Sequence, residues 1–528
     1  MQLHKFQKEG VQFLKSPGDP VRFLFDDMGL GKTVQACFAA EDLKKPVLVV
    51  SPKSPTCVWK EHFETLTSLT PIVVKHPRDF HWPEKGEAVI CTYPQLTWME
   101  QNKKNIKAQQ LLKRGPLEKI ITIFDEAHAL KGFTIRALQG KRITQECLSQ
   151  GGLVWALTGT PIPCSPLDLW GLLTAVSKET IFDDFEHFLK HFGGKQIEWD
   201  SCLQQQEQLV RKFGYTFPQV QKYIRVLKGP LSAGEAAVYA GLDVSFIFSW
   251  RRLTRQALFR KNKNHGKRFI WKKVPPGGSV LPLFQGTALR RLRRDVLPEL
   301  APIQHRVFKI EVSDLPAFTR RKATAAVEYL EQRTQRKIES IQVDDVEVLL
   351  RNVIDTEHLF SALRLLAETK ISILSDIVEE HEQTFRGSDS SVAPLAVCSE
   401  YRKPIEWLST RKNWGTIMGG LSGSKREDHV EKTIRDLNQR KLVGVGFTGA
   451  GEEGLTLTAC HRLVKVSSSL SPSKEDQREA RVHRFGQTRG VIVDHLVVNH
   501  GLDLFALRLG ASKATLSRAA LSLNRKEN

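Results

Sequence analysis

Near the start of the chain, Gly29, Gly31, Lys32 and Thr33 stand at a spacing suited to holding phosphate, within the segment DDMGLGKTVQA. They follow an apolar run, VRFLF (21–25), that reads as a strand, and they precede a stretch with helical periodicity. A phosphate-cradling loop requires that context. The backbone N–H groups of Asp27, Met28, Gly29, Leu30 and Gly31 can close on phosphoryl oxygens, because glycine admits the turns involved. A helix N-terminus adds positive potential, Lys32 neutralises the β and γ charges, and the Thr33 hydroxyl ligates magnesium. The full pattern would have glycine at position 26, where this chain has Asp26.

About ninety residues on, the strand-like ITIFD (121–125) ends in Asp125, Glu126, Ala127 and His128. Asp125 at a strand tip can hold the magnesium, while Glu126 can orient and deprotonate an attacking water. Thr158, Gly159, Thr160 and Pro161 follow a further strand, LVWALT (153–158), and could link the nucleotide site to a distant path; a plain Ser/Thr turn is the alternative. Late in the chain, DQREARVHRFGQ places Arg481 and Arg484 three apart, on one face if helical. Such arginines can stabilise transition-state charge on a γ-phosphate, or can simply be a solvated helix face.

The elements that must carry these residues are α/β in character. Short apolar runs at 21–25, 47–51, 87–93, 121–125 and 153–158 alternate with helical stretches, and the rhythm returns at 394–399, 441–447, 461–466 and 491–498. Strands that are apolar throughout and separated by helices imply parallel sheets covered on both faces. Two α/β lobes are expected, joined and decorated by helical insertions. The expected division is a nucleotide-binding lobe over 1–175, a basic helical insertion and linker over 176–300, a helical protrusion over 301–385 and a second lobe over 386–528.

With 528 residues the chain exceeds what one core supports, and its 41% hydrophobic and 26% charged content excludes a disordered class. The net charge of +20 points to a polyanionic partner. No Asp or Glu occurs from 244 to 294, whereas Arg251, Arg252, Arg255, Arg260, Lys261, Lys263, Lys267, Arg268, Lys272, Lys273, Arg290, Arg291, Arg293 and Arg294 do. Such a run can track a phosphate backbone without reading sequence, with Trp250, Phe259, Phe269 and Trp271 as interleaved aromatics or as the apolar face of helices. The eight cysteines show no zinc spacing, and no apolar run approaches the ~20 residues that span a bilayer. A reducing, aqueous setting and no membrane partner are expected, with an opening that reads as neither signal nor transit peptide.

In this order the segments resemble the Swi/Snf family of superfamily-two ATPases over nearly the whole chain. LHKFQKEGVQFL is similar to the family's glutamine motif, FDDMGLGKTVQA to motif I, VLVVSPKS with WKEHF to motif Ia, and IFDEAHALK to motif II. LTGTPIPCSPLDLWGLL resembles motif III, LRRLRRDVLPELAP the basic element before the second lobe, GFTGAGEEGLTLTAC motif V and REARVHRFGQ motif VI. The family carries an acidic residue where other phosphate loops have their first glycine, which accounts for Asp26.

The resemblance implies two RecA-like lobes and an ATP- and Mg2+-dependent motor on double-stranded or forked DNA. It implies that Gln7 reads adenine, that Gly454 and Gln477 line the nucleotide, and that Thr33 and Asp125 hold the metal. Lys32, Asp125, Glu126, Arg481 and Arg484 would carry the chemistry. Ser51, Pro52, Lys53, Thr158, Gly159, Thr160, Gly423, Ser424, Arg426 and Thr456 would couple or touch DNA. GLTLTAC and the closing HLVVNHGLDLFALRLGASK lean to the annealing-helicase (HARP-like) branch, of phage or bacterial source, implying the cytoplasm, or the nucleus if eukaryotic. The stretch VSSSLSPSKEDQ departs from the family, keeping Pro472 and Gln477; Gly132 stands for a usual Asn, and VCSEYRK for an aromatic-rich strand end. A strand-separating helicase and a DNA-binding scaffold without turnover are the alternative readings.

Overall fold

The computed structural model describes all residues except 1, 54, 102–113, 132–133, 164, 178–180, 199–213, 215–241, 243–266, 273, 335–336, 341–352, 388–391, 420–423, 450–454, 509–520 and 522–528. The chain forms two compact units: Met1–Phe188 with Lys273–Asn528, and Leu189–Lys272. In the smaller unit, β7 (Lys195–Glu198) and β8 (Lys267–Ile270) pair antiparallel. Of the basic run expected to track phosphate, Arg251, Arg252, Arg255, Arg260, Lys261, Lys263 and Lys273 lie outside the described residues, as do Trp250 and Phe259.

The larger unit is built on two sheets whose strand pairs are all parallel. The first has the order β3-β4-β2-β5-β6-β1-β9, from β1 (Val21–Leu24), β2 (Val47–Ser51), β3 (Thr70–Val73), β4 (Glu87–Thr92), β5 (Ile121–Asp125), β6 (Leu153–Leu157) and β9 (Ala288–Leu289). Strands β1, β2 and β5 are buried along their whole length, as apolar runs covered by helices on both faces must be. The helices are α1 (Lys5–Lys15), α2 (Lys32–Leu43), α3 (Thr56–Leu66), α4 (Tyr93–Gln101), α5 (Ile135–Ser149) and α6 (Pro166–Val176). Val11, Leu14, Ala36, Trp59 and Phe63 from α1 to α3 share one core with Leu24, Val49 and Ile123.

Register sets the chemistry at one edge of this sheet. Leu24 lies beside Leu157, and Leu157 beside Asp125. The loops after β1, β5 and β6 therefore leave the same C-terminal edge, where open parallel sheets bind ligands. The sheet's last strand, β9, comes from the segment expected as linker and pairs with β1 through Phe23 and Leu24. Two residues between a Gly-containing turn and an arginine run carry too little periodicity to read as a strand.

The second sheet has the order β10-β15-β14-β11-β13-β12, from β10 (Gln304–Ile310), β11 (Leu395–Ser399), β12 (Trp414–Ile417), β13 (Gly444–Thr448), β14 (Arg462–Lys465) and β15 (Ile492–Val498). Helix α7 is Phe185–Phe192 and the single turn α8 is Arg293–Val296. Next come α9 (Ala317–Thr334), α10 (Val353–Thr369), α11 (Ile371–Gly387), α12 (Arg402–Ser409), α13 (Ser424–Asn438) and α14 (Pro472–Val482). The helical stretch expected as a protrusion contributes Ala323, Leu330, Leu359 and Leu366 to one core with Ile310, Val498, Leu502 and Phe505.

Candidate active site

The loop between β1 and α2 turns through Gly29 and Gly31, at φ of 83° and 72°. This left-handed region costs an L side chain energy but not glycine. In this conformation Lys32 Nζ donates to the backbone oxygens of Asp26 at 2.9 Å and Asp27 at 3.3 Å. The ammonium thus sits over the loop on carbonyl partners that phosphoryl oxygens can replace. Gln7, buried on α1, donates from Nε2 to Leu30 O at 3.5 Å, and its Oε1 accepts from His4 N at 3.1 Å. Thr33 lies in the first turn of α2.

Asp26, wholly buried, is the hub of the loop. Its Oδ1 accepts from Arg291 N at 3.1 Å and Nε at 3.0 Å, and its Oδ2 from Arg291 Nη2 and from Gln35 Nε2 at 3.3 Å. Arg291 Nη2 also donates to Gln35 Oε1 at 2.8 Å, and Nη1 to Phe6 O. An acid replaces the first glycine here because it closes a buried ion pair with an arginine 265 residues away. The reading of Arg290, Arg291 and Arg293 as part of a phosphate-tracking run is corrected accordingly. Arg290 donates to Phe25 O at 3.1 Å, and Arg293 N to Asp27 Oδ2 at 3.0 Å. Burial makes a bare arginine costly, so the side chains of Arg290 and Arg291 are spent on the loop and that of Arg293 on His483, and of the four arginines from 290 to 294 only Arg294 is exposed.

Asp125 is held from two sides. Trp59 Nε1 donates to its Oδ2 at 2.8 Å, and Tyr93 Oη donates to its backbone oxygen at 2.9 Å. Trp59 comes from the segment similar to motif Ia and Tyr93 from the end of the apolar run at 87–93, and sequence reading gives neither side chain a task. Glu126 has φ of 46°, a strained value for a non-glycine residue of the kind found at functional sites. Burial and the adjacent Glu126 raise the Asp125 carboxyl, against the Trp59 hydrogen bond and the Lys32 charge. Burial pushes Glu126 the same way, but His128, Lys32 and Arg481 outweigh it and keep that carboxyl below its ordinary range. Of the two carboxyls, Glu126 is thus the one held more firmly in its ionised form.

His128 ties this corner to the third motif. Its Nδ1 lies 3.2 Å from Glu126 Oε2, 3.0 Å from Thr158 Oγ1 and 3.5 Å from Thr160 Oγ1. Thr160 N donates to Thr158 Oγ1 at 3.1 Å, so the two hydroxyls belong to one hydrogen-bonded turn. A Cβ on Gly159 would stand 2.9 Å from Met28 Cγ and 3.3 Å from Asp26 O, so only glycine lets this turn meet the phosphate loop. Ser51 ends β2, and Pro52 and Lys53 follow it at the same sheet edge, with Lys53 exposed.

From the second sheet, α14 brings Arg481 and the following turn brings Arg484. Both donate to Leu455 O at 3.5 Å, and Arg484 Nη1 reaches Thr456 Oγ1 at 2.9 Å. A Cβ on Gly29 would stand 2.9 Å from Arg484 Cβ. Burial, with Arg481 and Arg293 nearby, lowers Arg484 to about 10. An arginine disfavoured by burial and by neighbouring like charge is stabilised by an anion. Gln477 is buried on α14, between Asp476, whose charge faces Arg290 and Arg293, and the wholly buried Arg478. Gly423 and Gly454 lie outside the described residues; Ser424 and Arg426 begin α13.

The sequence model described as "SNF2-related domain" matches residues 6–317, more than half of the chain. The chain belongs to the SNF2-related family. The "Helicase conserved C-terminal domain" matches residues 369–486 of this SNF2-related chain. The frog (Xenopus laevis) SWI/SNF-related matrix-associated actin-dependent regulator of chromatin subfamily A-like protein 1 is 26% identical over 95% of this chain and 42% of its own length. The mouse (Mus musculus) DNA excision repair protein ERCC-6-like is 25% identical over 94% and 40%. The chain thus spans about two fifths of those relatives' length. The Sulfolobus solfataricus SWI2/SNF2 ATPase core in complex with dsDNA aligns over 99% of this chain and 98% of that one, at 17% identity and a TM-score of 0.35.

The stretch 466–477, where this SNF2-related chain departs from the Swi/Snf motifs, is densely bonded. Ser467 Oγ accepts from Glu400 N at 2.7 Å, and Glu475 accepts from Ser469 N, Lys465 Nζ at 2.8 Å and Arg478 Nη1 at 2.9 Å. Arg478 also reaches Glu400, in the VCSEYRK segment. Nearby, His305, Glu479 and His495 bring possible ligand atoms within 4.8 Å of one another. Lys465 already holds Glu479 at 2.6 Å, and its ammonium opposes a cation there, so the group is a polar layer between sheet and α14.

Proposed function

We propose that this chain is an ATP hydrolase whose turnover drives movement along double-stranded DNA. The observation that carries the reading is the contact of Arg484 with Gly29, which brings the arginine turn of the second sheet onto the phosphate loop of the first. Lys32, released from the Asp26 and Asp27 carbonyls, would hold the β and γ phosphates, and Gln7 the adenine. Thr33 and Asp125 fit a magnesium ion, which supplies positive charge to phosphoryl oxygens; the glycine turn and the buried carboxylate suit both ligands. Glu126 orients a water and takes its proton as the water oxygen bonds to the γ-phosphorus and the β–γ bridging bond breaks, giving ADP and phosphate. Arg481 and Arg484 stabilise the charge that develops.

The DNA part of the reading rests on the +20 charge, on exposed Lys53 and Arg294, and on family membership. Each closing of the arginine turn onto the loop would advance one lobe along a strand, with Ser51 to Lys53, Thr158 to Thr160, Gly423, Ser424, Arg426 and Thr456 as the coupling and contact residues. We assign remodelling of forked or branched DNA in replication, recombination or repair, in the annealing-helicase branch and in a bacterial or phage setting. No helix among the described residues is long and apolar enough to cross a membrane.

The test is ATP turnover without DNA and with single-stranded, duplex and forked DNA, beside Lys32→Ala and Glu126→Gln. Stimulation by duplex or fork is expected in the wild type, with a loss of about 10²–10⁴-fold in Glu126→Gln. Equal, low turnover on every DNA would refute a motor, and displacement of an annealed strand would replace translocation by unwinding.

A further inference from the structure

Asp26 and Arg291 make one connection between the phosphate loop and the 290–293 segment; a second runs beside it and continues across to the other sheet. Asp27 N donates to Arg291 O at 3.0 Å, and Arg293 N donates back to Asp27 Oδ2 at 3.0 Å. The Arg293 guanidinium then leaves the loop and donates from Nη1 to His483 Nδ1 at 2.9 Å and to His483 O. His483 Nε2 lies 2.7 Å from Ala301 O, an oxygen that can only accept. Nε2 therefore carries the ring hydrogen and Nδ1 offers its lone pair to Arg293. The residue after His483 is Arg484, and the one after that, Phe485, packs edge-on against His4 beside Gln7, ring centroids 4.4 Å apart.

From this geometry we propose that Arg293 is the positioning residue through which the phosphate loop sets the reach of Arg481 and Arg484. Its backbone follows Asp27, and its side chain grips the turn that bears the arginines from both the ring and the main chain of His483. A nucleotide that reshapes the loop around Asp27 displaces Arg293, and the turn carrying Arg484 moves with it. The inference rests on the ATP-site reading and adds to it a mechanical path that does not pass through the nucleotide. Both bonds leave the single nitrogen Nη1, which the planar guanidinium holds in a fixed orientation; a lysine ammonium offers enough donors but on a flexible stem, so it can restore the grip only in part.

The experiment is hydrogen exchange of the full chain with and without a non-hydrolysable ATP analogue and Mg2+, followed at residues 26–33 and 481–487, for wild type, Arg293→Ala and Arg293→Lys. Wild type is expected to be protected in both segments. Arg293→Ala keeps protection at 26–33 and loses it at 481–487, and Arg293→Lys recovers part of it. In turnover, Arg293→Ala loses about 10²-fold in kcat, the scale of a catalytic group misplaced by about 1 Å, with KM for ATP within about twofold. His483→Ala gives a similar loss, and the double variant little more, as one shared path requires. Protection of both segments in Arg293→Ala, or losses that multiply in the double variant, would overturn the proposal. A wild type unprotected at 26–33 would remove ATP binding itself, and both readings with it.

Discussion

Restoring the missing glycine of the phosphate loop is expected to damage the protein. In Asp26→Gly the carboxylate that accepts from Arg291 N, Nε and Nη2 and from Gln35 Nε2 is gone, while Arg291 stays buried. Breaking a buried ion pair by removing one partner costs about 3–5 kcal/mol, because the remaining charge is left without compensation. Arg291 keeps Phe6 O and Gln35 Oε1 at 2.8 Å, which places the loss near the lower end, at about 3 kcal/mol. For a cooperative unit of 150–250 residues each kcal/mol moves the melting temperature by about 2–4 °C, so the first lobe should melt roughly 6–12 °C lower. Scanning calorimetry of wild type, Asp26→Gly, Asp26→Asn and Asp26→Asn with Arg291→Gln measures it. The charge argument requires the neutral pair to melt above Asp26→Asn alone. An Asp26→Gly protein as stable as wild type, or a neutral pair worse than the sum of its parts, would refute the reasoning.

Trp59→Phe keeps the packing of α3 but removes the 2.8 Å hydrogen bond to Asp125 Oδ2, a bond to a charged group worth about 1.5–3 kcal/mol. The Mg2+ concentration giving half-maximal turnover should rise about tenfold or more; an unchanged Mg2+ titration would show that Trp59 only packs. Acid stability should report Glu475. Against the upward push of burial, Lys465 and Arg478 hold its carboxyl below the ordinary range. A group depressed in the folded state contributes fully above its unfolded pKa of about 4.3 and loses that contribution as pH falls through the folded value. Melting temperatures from pH 7 to 3 should therefore fall less steeply below pH ~4.5 in Glu475→Gln than in wild type, and parallel curves would count against the pairing.

What the sequence disclosed was local. Lys32 follows a glycine turn after an apolar strand, and Asp125 ends another, so residue type and position suffice to place both at one sheet edge. Arg481 and Arg484 were legible as a pair suited to a γ-phosphate, but the meeting of Arg484 with Gly29 itself was not, because nothing local records a contact between residues so far apart. The arginines at 290, 291 and 293 misled for the same reason: a basic run reads as surface unless the buried acids that meet it are known. Asp26 was explained by family habit alone until Arg291 appeared opposite it. Strand β9 has two residues, and β10 is exposed along most of its length, so neither carries the apolar run that marks a buried strand. Trp59 was visible within a motif and Tyr93 at the end of an apolar run, but their common partner Asp125 is a tertiary fact.

The two-residue strand β9 also bears on how the protein is made. A chain leaves the ribosome N-terminus first, at about 5–20 residues per second. Strands β1 to β6 are complete once residue 157 has emerged, yet β1 gains its outer neighbour, and Asp26 its arginine, only at residues 288–291. For roughly 7–27 s at that speed the nascent lobe carries an open sheet edge and an uncompensated buried carboxylate. Its phosphate loop is therefore assembled late, after the intervening insertion has been synthesised. A slow stretch of translation between those two points would lengthen exposure of an edge on which unfinished sheets aggregate, so synthesis rate and yield are linked through a strand of two residues.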